Sequence, residues 1–220
     1  MDEIVAYYDD LAKKYDQDRF GNTYGKFIDS QERKILDQIL TNKSDLVVDL
    51  ACGAGRFLNY ASIGVDASLQ MIEIAKSKFP QKTFLQNEAD KILLASNSID
   101  TIISFHFFMH LDEKKIIQVL EEANRILKKN GRIIFDIPSQ KRRNLLGYKK
   151  VNWHGASSLS LDNLKSIPNF KINKTFGLLF FPIHRFPAFS RKFLVKLDTI
   201  LANSFLKEYS SYLIIELEKR

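Results

Sequence analysis

Apolar positions along this chain come in short dense runs, with amphipathic segments between them. The runs at Asp45–Leu50, Ile63–Asp66, Thr83–Gln86, Ile99–Phe105 and Arg132–Ile137 read as strands; Ile99–Phe105 is apolar on both faces, as a buried parallel strand is. The intervening apolar residues recur at helical spacing. Ile4, Tyr7, Tyr8, Leu11, Ala12 and Tyr15 form one such stripe, and a break at Phe20-Gly21-Asn22 leads to a second helix over Ile28–Leu40. A short helix is expected at Arg56–Ala61. A longer one, Ser68–Phe79, has Ser68 as N-cap and ends before Pro80. Another, Glu113–Lys128, stops at Lys128-Lys129-Asn130-Gly131. Strands alternating with helices predict an α/β domain built on a parallel sheet.

Beyond Pro138 the pattern changes. A short helix at Leu161–Ser166 and a strand at Lys171–Leu179 precede an aromatic run, Phe180 to Pro187. Phe189, Phe193, Leu194, Leu197, Ile200 and Leu201 then form an apolar stripe beside Arg191, Lys192 and Lys196. Two readings stay open for this helix: a lid packed on the sheet, or an interfacial helix that touches a membrane and admits a lipid-linked acceptor.

The 220 residues are expected to form a single domain with a sizeable core. No apolar run is long enough to span a bilayer, and the acidic opening MDEIVAYYDD is not a signal peptide. A single Cys52 excludes an internal disulfide and a cysteine-based metal site; it suits a cytoplasmic protein and reads as a small side chain packed under a loop. No metal is expected. The net charge of +7 hides a division: residues 1–127 carry 20 acids against 15 bases, whereas residues 128–196 carry 15 bases against Asp136 and Asp162 alone. The basic segment is either a soluble surface or a site for an anionic partner, whether phosphorylated small molecule, membrane surface or nucleic acid.

The most informative stretch is Val47–Arg56, VVDLACGAGR. A buried strand ends in an acid, Asp49, and the small residues Ala51, Gly53 and Gly55 alternate through a tight turn before a new amphipathic segment. Such a turn lets backbone approach a ligand and, at a helix N-terminus, seats a carboxylate or phosphate. Asp66, at the tip of the next strand, is placed to accept hydrogen bonds from ribose hydroxyls. Glycine turn plus ribose acid indicates a nucleoside-containing cofactor. A nicotinamide dinucleotide would want a third glycine near position 58, where Leu58 stands.

VVDLACGAGRF, GVDASLQMIEIAKSK (64–78), NSIDTIISFHFFMHL (97–111) and LEEANRILKKNGRIIFDIPS (120–139), in that order, resemble the class I S-adenosylmethionine-dependent methyltransferases. The resemblance implies a Rossmann-like, seven-stranded, mostly parallel sheet with an antiparallel C-terminal edge strand at Tyr212–Leu217, and helices on both faces. It implies S-adenosylmethionine as cofactor and S-adenosylhomocysteine as product. Cofactor-binding positions carried over are Tyr15, Asp49, Ala51, Gly53, Gly55, Asp66, Ala67, Met71, Glu88, Ala89 and Ser104. Glu88, with Asp90 as runner-up, falls where the family reads adenine; Ser104 and Phe105 end the strand whose carbonyl holds the cofactor's amino group. The chain departs from the family in its twelve-residue gap between Gly53 and Asp66, and in Ala51 for the first glycine, which is tolerable if φ there is negative.

Methyl transfer from a sulfonium is an in-line displacement that depends mainly on alignment and exclusion of water. A general base is needed only where the acceptor must lose a proton. His110 and His154 are the candidates, with His106 behind them. The chain divides into an N-terminal helical cap (1–40), a cofactor-binding core (41–139), a basic aromatic substrate lid (140–203) and a final strand region (204–220). The expected activity is methylation of a small or lipid-linked acceptor, anionic or amphipathic. The alternatives are RNA methylation, against which the absence of a DPPY- or NPPY-like tetrapeptide counts, and a non-catalytic cofactor-binding partner subunit. The expected location is cytoplasmic, with or without peripheral membrane contact.

Overall fold

A computed structural model describes residues 2–149 and 157–220. Three helices lead in: α1 (Asp2–Leu11), α2 (Tyr15–Phe20) and α3 (Thr23–Ile39). The break read at Phe20–Asn22 is real, but α3 starts five residues earlier than its apolar stripe suggests. Asn22 caps it, its side-chain oxygen accepting from Gly25 N at 2.8 Å.

The core follows as β1 (Val47–Leu50), β2 (Ile63–Asp66), α4 (Leu69–Lys78), β3 (Thr83–Gln86), β4 (Ile99–Ser104), α5 (Glu113–Ile126) and β5 (Leu127–Pro138). Next come α6 (Gln140–Leu145), α7 (Leu161–Lys165), β6 (Phe170–Leu178), α8 (Ala188–Ala202) and β7 (Tyr212–Lys219). The seven strands form one sheet in the order β3-β2-β1-β4-β5-β7-β6. It is Rossmann-like and mostly parallel, and β7 is the antiparallel strand. One expectation needs correction. β7 is not at the edge: it pairs with β5 on one side and β6 on the other, so β6 is the edge strand. Its residues explain why. Leu213 to Leu217 are buried without interruption, including Glu216, a pattern that suits a strand flanked on both sides.

Neighbouring residues on each central strand serve opposite layers. Val48, Ile102, Ile133 and Ile215 pack with Ile116, Val119, Leu120 and Ala123 of α5. Val47, Ile103, Ile134 and Ile214 pack with Ile28, Leu36 and Ile39 of α3. This is the period-two alternation of a sheet covered on both faces.

Two further expectations fail locally. No helix forms over Arg56–Ala61. Only twelve residues return the chain from the end of β1 to the start of β2, and they do so in tight turns: Gly55 N bonds to Cys52 O, Leu58 N to Gly55 O and Tyr60 N to Phe57 O. Nor does Gly131 stop a helix. α5 ends at Ile126, and residues 128–131 bulge between two stretches of β5 that pair with Ile99 and Thr101 of β4.

Candidate active site

The sheet reverses its order beside β1, with β2 on one side and β4 on the other. Ligands bind beyond the carboxyl ends of strands at such a point. A cavity opens there, roofed by Ile4, Val5 and Tyr8 of α1. α1 is tied down by Asp9, which accepts a hydrogen bond from the Ser68 hydroxyl.

The turn after β1 forms the floor. Gly53 sits at φ 51° and Gly55 at φ 92°, a backbone region open to glycine. A Cβ on Gly55 would also lie 3.0 Å from Leu58 and 3.1 Å from Phe79. Ala51 departs from expectation: its φ is +57°, the left-handed region that its side chain disfavours. Without a helix behind the turn, no helix end adds its positive charge. Asp66 organises the loop instead, its Oδ2 accepting from Gly53 N at 2.8 Å and its Oδ1 from Ser68 N at 2.9 Å. Burial pushes the Asp66 carboxyl above its ordinary range against the pull of those N–H groups.

Asp49 is the other acid of the cavity. It is buried, and its Oδ2 has no hydrogen-bond partner among the described residues. Burial raises its pKa to about 8; Arg56 opposes the shift and Asp66 adds to it.

The cavity gathers Tyr15, Asp49, Ala51, Gly53, Asp66, Ala67, Met71, Ala89 and His110 from the sequence-predicted residues. Gly55, Glu88 and Ser104 are not on its wall. Glu88 is half exposed and faces Lys115 Nζ at 3.4 Å, which also holds Asp90 at 2.6 Å; Asn87 lines the cavity in that region. Ser104 is buried within β4, opposite Phe135 of β5, and the lining passes to Phe105. His154 lies outside the described residues, as do Lys150 and Trp153.

Sequence reasoning missed Tyr8, Phe20, Arg56, Asn87 and Phe107, all of which line the cavity, and ranked His106 low. His106 has φ +57° and donates its backbone N–H to Asp136 Oδ1 at 2.6 Å. Its ring stands between two carboxylates, with Nε2 2.9 Å from Glu32 and Nδ1 3.6 Å from Asp136. Glu32, His106 and Asp136 cluster closely enough to suggest a metal site. The arrangement argues otherwise: the carboxylates face opposite ring nitrogens, and Arg56 Nη1 already occupies Glu32 Oε2 at 2.7 Å.

A second cavity of about 320 Å³ abuts the first and shares Tyr8, Tyr15, His106 and His110 with it. Tyr7, Leu11, Asp18, Arg19 and Met109 complete its wall. At the boundary the Tyr8 hydroxyl and His110 Nε2 share a 3.0 Å hydrogen bond. Burial pushes the Tyr8 phenol up, so it keeps its proton. Arg19 has no ion pair with any described residue; burial disfavours its charge, but the phenols of Tyr212, Tyr15, Tyr24 and Tyr8 outweigh it.

Comparison with known proteins bears on this geometry. Residues 48–135, which hold the glycine turn and β1 to β5 as far as Phe135, match the family model described as a methyltransferase domain. This stretch is a methyltransferase domain. Its Rossmann-like fold is that of the S-adenosylmethionine-dependent enzymes: a Thermotoga maritima structure of that description superposes with a TM-score of 0.72 at 20% identity, covering 97% of this chain and 98% of its own. Among curated proteins, an uncharacterized protein of Methanocaldococcus jannaschii is 36% identical over 137 residues, 61% of this chain and 51% of its own length. A demethylmenaquinone methyltransferase of Paenarthrobacter aurescens is 31% identical over 140 residues, 60% of this chain and 54% of its own. The chain thus spans about half the length of these two relatives.

The methyltransferase domain's residues fit S-adenosylmethionine. Asp49 offers a buried unpartnered oxygen to a cationic amine, and Asp66 stands at the tip of β2 for a ribose. Met71, Ala89, Phe105 and Phe107 give apolar walls for an adenine ring.

Proposed function

We propose that this chain transfers a methyl group from S-adenosylmethionine to a small or lipid-linked acceptor, anionic or amphipathic in character, seated in the second cavity. The observation that carries the reading is the shared wall of Tyr8, Tyr15, His106 and His110, which sets the two cavities side by side. When bound, the cofactor supplies a methyl group on a sulfonium that leaves as a neutral thioether. The chain's part is alignment, which contributes on the order of 7–11 kcal/mol at best.

Arg19 gives the acceptor's anionic group a charge to meet, and Tyr7, Leu11 and Met109 give its apolar part a wall. His110, held by Tyr8, is the group placed to take a proton from an acceptor O–H or N–H as the methyl arrives. The volume of about 320 Å³ suits a small molecule or the head of a larger one. The acceptor named for the Paenarthrobacter relative belongs to that protein, and at 31% identity it does not carry over.

The test is transfer of labelled methyl from S-adenosylmethionine into host-cell extract, separated into lipid, small-molecule, protein and nucleic-acid fractions. Label in the lipid or small-molecule fraction that His110→Gln and Arg19→Gln both reduce supports the reading. Label confined to nucleic acid overturns it in favour of RNA methylation. Tight S-adenosylhomocysteine binding without label in any fraction favours a non-catalytic partner subunit.

A further inference from the structure

We propose that the outward face of α8 docks on an anionic lipid bilayer. At 3.6 residues per turn, Phe189, Phe193, Lys196 and Ile200 share one face, and Asp198 falls on the opposite one. The inward face is anchored. Asp198 is fully buried; its Oδ1 accepts from Phe181 N at 2.7 Å, and its Oδ2 from Gln31 Nε2 of α3 at 3.2 Å. The outward face is open to solvent among the described residues: Phe189 is 89% exposed, Phe193 70% and Ile200 65%. Phe205, just past the helix, is 89% exposed, and Phe186, just before it, is exposed as well. Single exposed apolar side chains are ordinary, but two phenylalanines and an isoleucine aligned on one helix face mark a contact surface.

Charge selects the occupant. Arg185, Lys192 and Lys196 are exposed beside these rings, and the one acid of α8 is the buried Asp198. A second copy of this face would oppose like charges. Anionic headgroups match it, with phenylalanines entering the acyl boundary and lysines at phosphate level. At 15 residues α8 is too short to cross a bilayer, and no described helix is long and apolar enough to do so, so the helix would lie in the interface. Its place in the fold adds a consequence. α8 follows the end of β6, where Leu178 pairs with Tyr212, and Tyr212 pairs with Pro138 at the carboxyl end of β5. The docking face therefore belongs to the end of the sheet where the cavities open. The proposal does not depend on which acceptor is methylated.

Sedimentation of the full chain with phosphatidylcholine vesicles, and with vesicles of phosphatidylcholine mixed with phosphatidylglycerol, tests it. The wild type should pellet with the mixed vesicles alone, and less so as salt rises. F189S/F193S should lower the partition at least about tenfold, and K192E/K196E should also weaken it. Both variants should keep the wild-type melting temperature and S-adenosylhomocysteine affinity, since these side chains are exposed. Wild type that ignores mixed vesicles overturns the proposal, as does F189S/F193S that binds them like wild type. A solution dimer that F189S/F193S dissolves, without vesicle binding, would assign the face to a second copy instead.

Discussion

Arg56 Nη1 lies 2.7 Å from Glu32 Oε2, joining the glycine turn to α3 through a pair whose acid is fully buried. Arg56 also stacks on Phe20 and Phe57, at 4.0 and 3.9 Å from the ring centroids, and reaches Asp29 at 3.0 Å. Burial alone would raise the Glu32 carboxyl, but Arg56 and His106 outweigh it and hold the pKa at about 2. Removing one member of a buried pair leaves the other uncompensated, which costs about 3–5 kcal/mol. Glu32→Gln should lose about 2–4 kcal/mol at pH 7 in urea denaturation, toward the low end because Asp29 still holds Arg56. The folded pKa is depressed, so this stabilisation is present above the ordinary carboxylate range and fades as pH falls toward 2. Wild type and variant should converge there; a constant gap would contradict the ion-pair account.

Asp49 behaves in the opposite sense. Its pKa is raised to about 8, so the ligand-free protein holds a proton there that the unfolded chain has already released. Its contribution to stability is present at low pH and lost as pH rises through 8. Asp49→Asn should therefore raise the melting temperature of the ligand-free protein at pH 8 and leave it nearly unchanged at pH 4. The same variant should weaken S-adenosylhomocysteine binding about tenfold or more, since a charged hydrogen bond is lost. If Asp49 meets the cofactor's amine as proposed, wild-type affinity should rise with pH up to about 8, as the carboxylate forms. Calorimetry across pH reads both effects.

On the proposed reading, Asp66→Ala removes a ribose acceptor, and with it the two N–H bonds that shape the turn. Loss of S-adenosylhomocysteine affinity by roughly ten- to hundredfold is expected. Unchanged affinity would mean that the ribose lies elsewhere.

Ala51 is strained at φ +57°, and a glycine there would not be. The left-handed penalty is about 1–2 kcal/mol, and glycine's extra freedom when unfolded returns part of it. Ala51→Gly should thus stabilise the protein by about 0.5–1 kcal/mol, read as a higher denaturation midpoint with an unchanged slope.

The parts of this site that could be read in the sequence are those set by local spacing. A strand with Asp49 next to its end, a glycine turn and a second strand ending in Asp66 lie within twenty residues, so their geometry follows from chain connectivity. Glu88 lies off the cavity wall, half exposed and 3.4 Å from Lys115 Nζ, a neighbour 27 residues away that local spacing does not reveal. The Glu32–His106–Asp136 cluster could not be foreseen, since it depends on α3, β4 and β5 meeting across the sheet. Spacing gives Tyr8 only as part of an apolar stripe, whereas its hydroxyl reaches His110 across 102 positions. The place of β7 was missed for the same reason, because pairing order is a property of the assembled sheet.

That place has a consequence for how the protein is made. β7 leaves the ribosome after the six other strands of this sheet, yet it stands between two older ones. Until it arrives, the outer edge of β5 has no partner and β6 has no sheet to join. A nascent chain at this stage presents a long apolar edge, the feature most prone to pair with a neighbour's edge. Sealing the sheet from within makes β7 the arbiter of whether β5 and β6 close into one sheet or pair with a neighbour's edge.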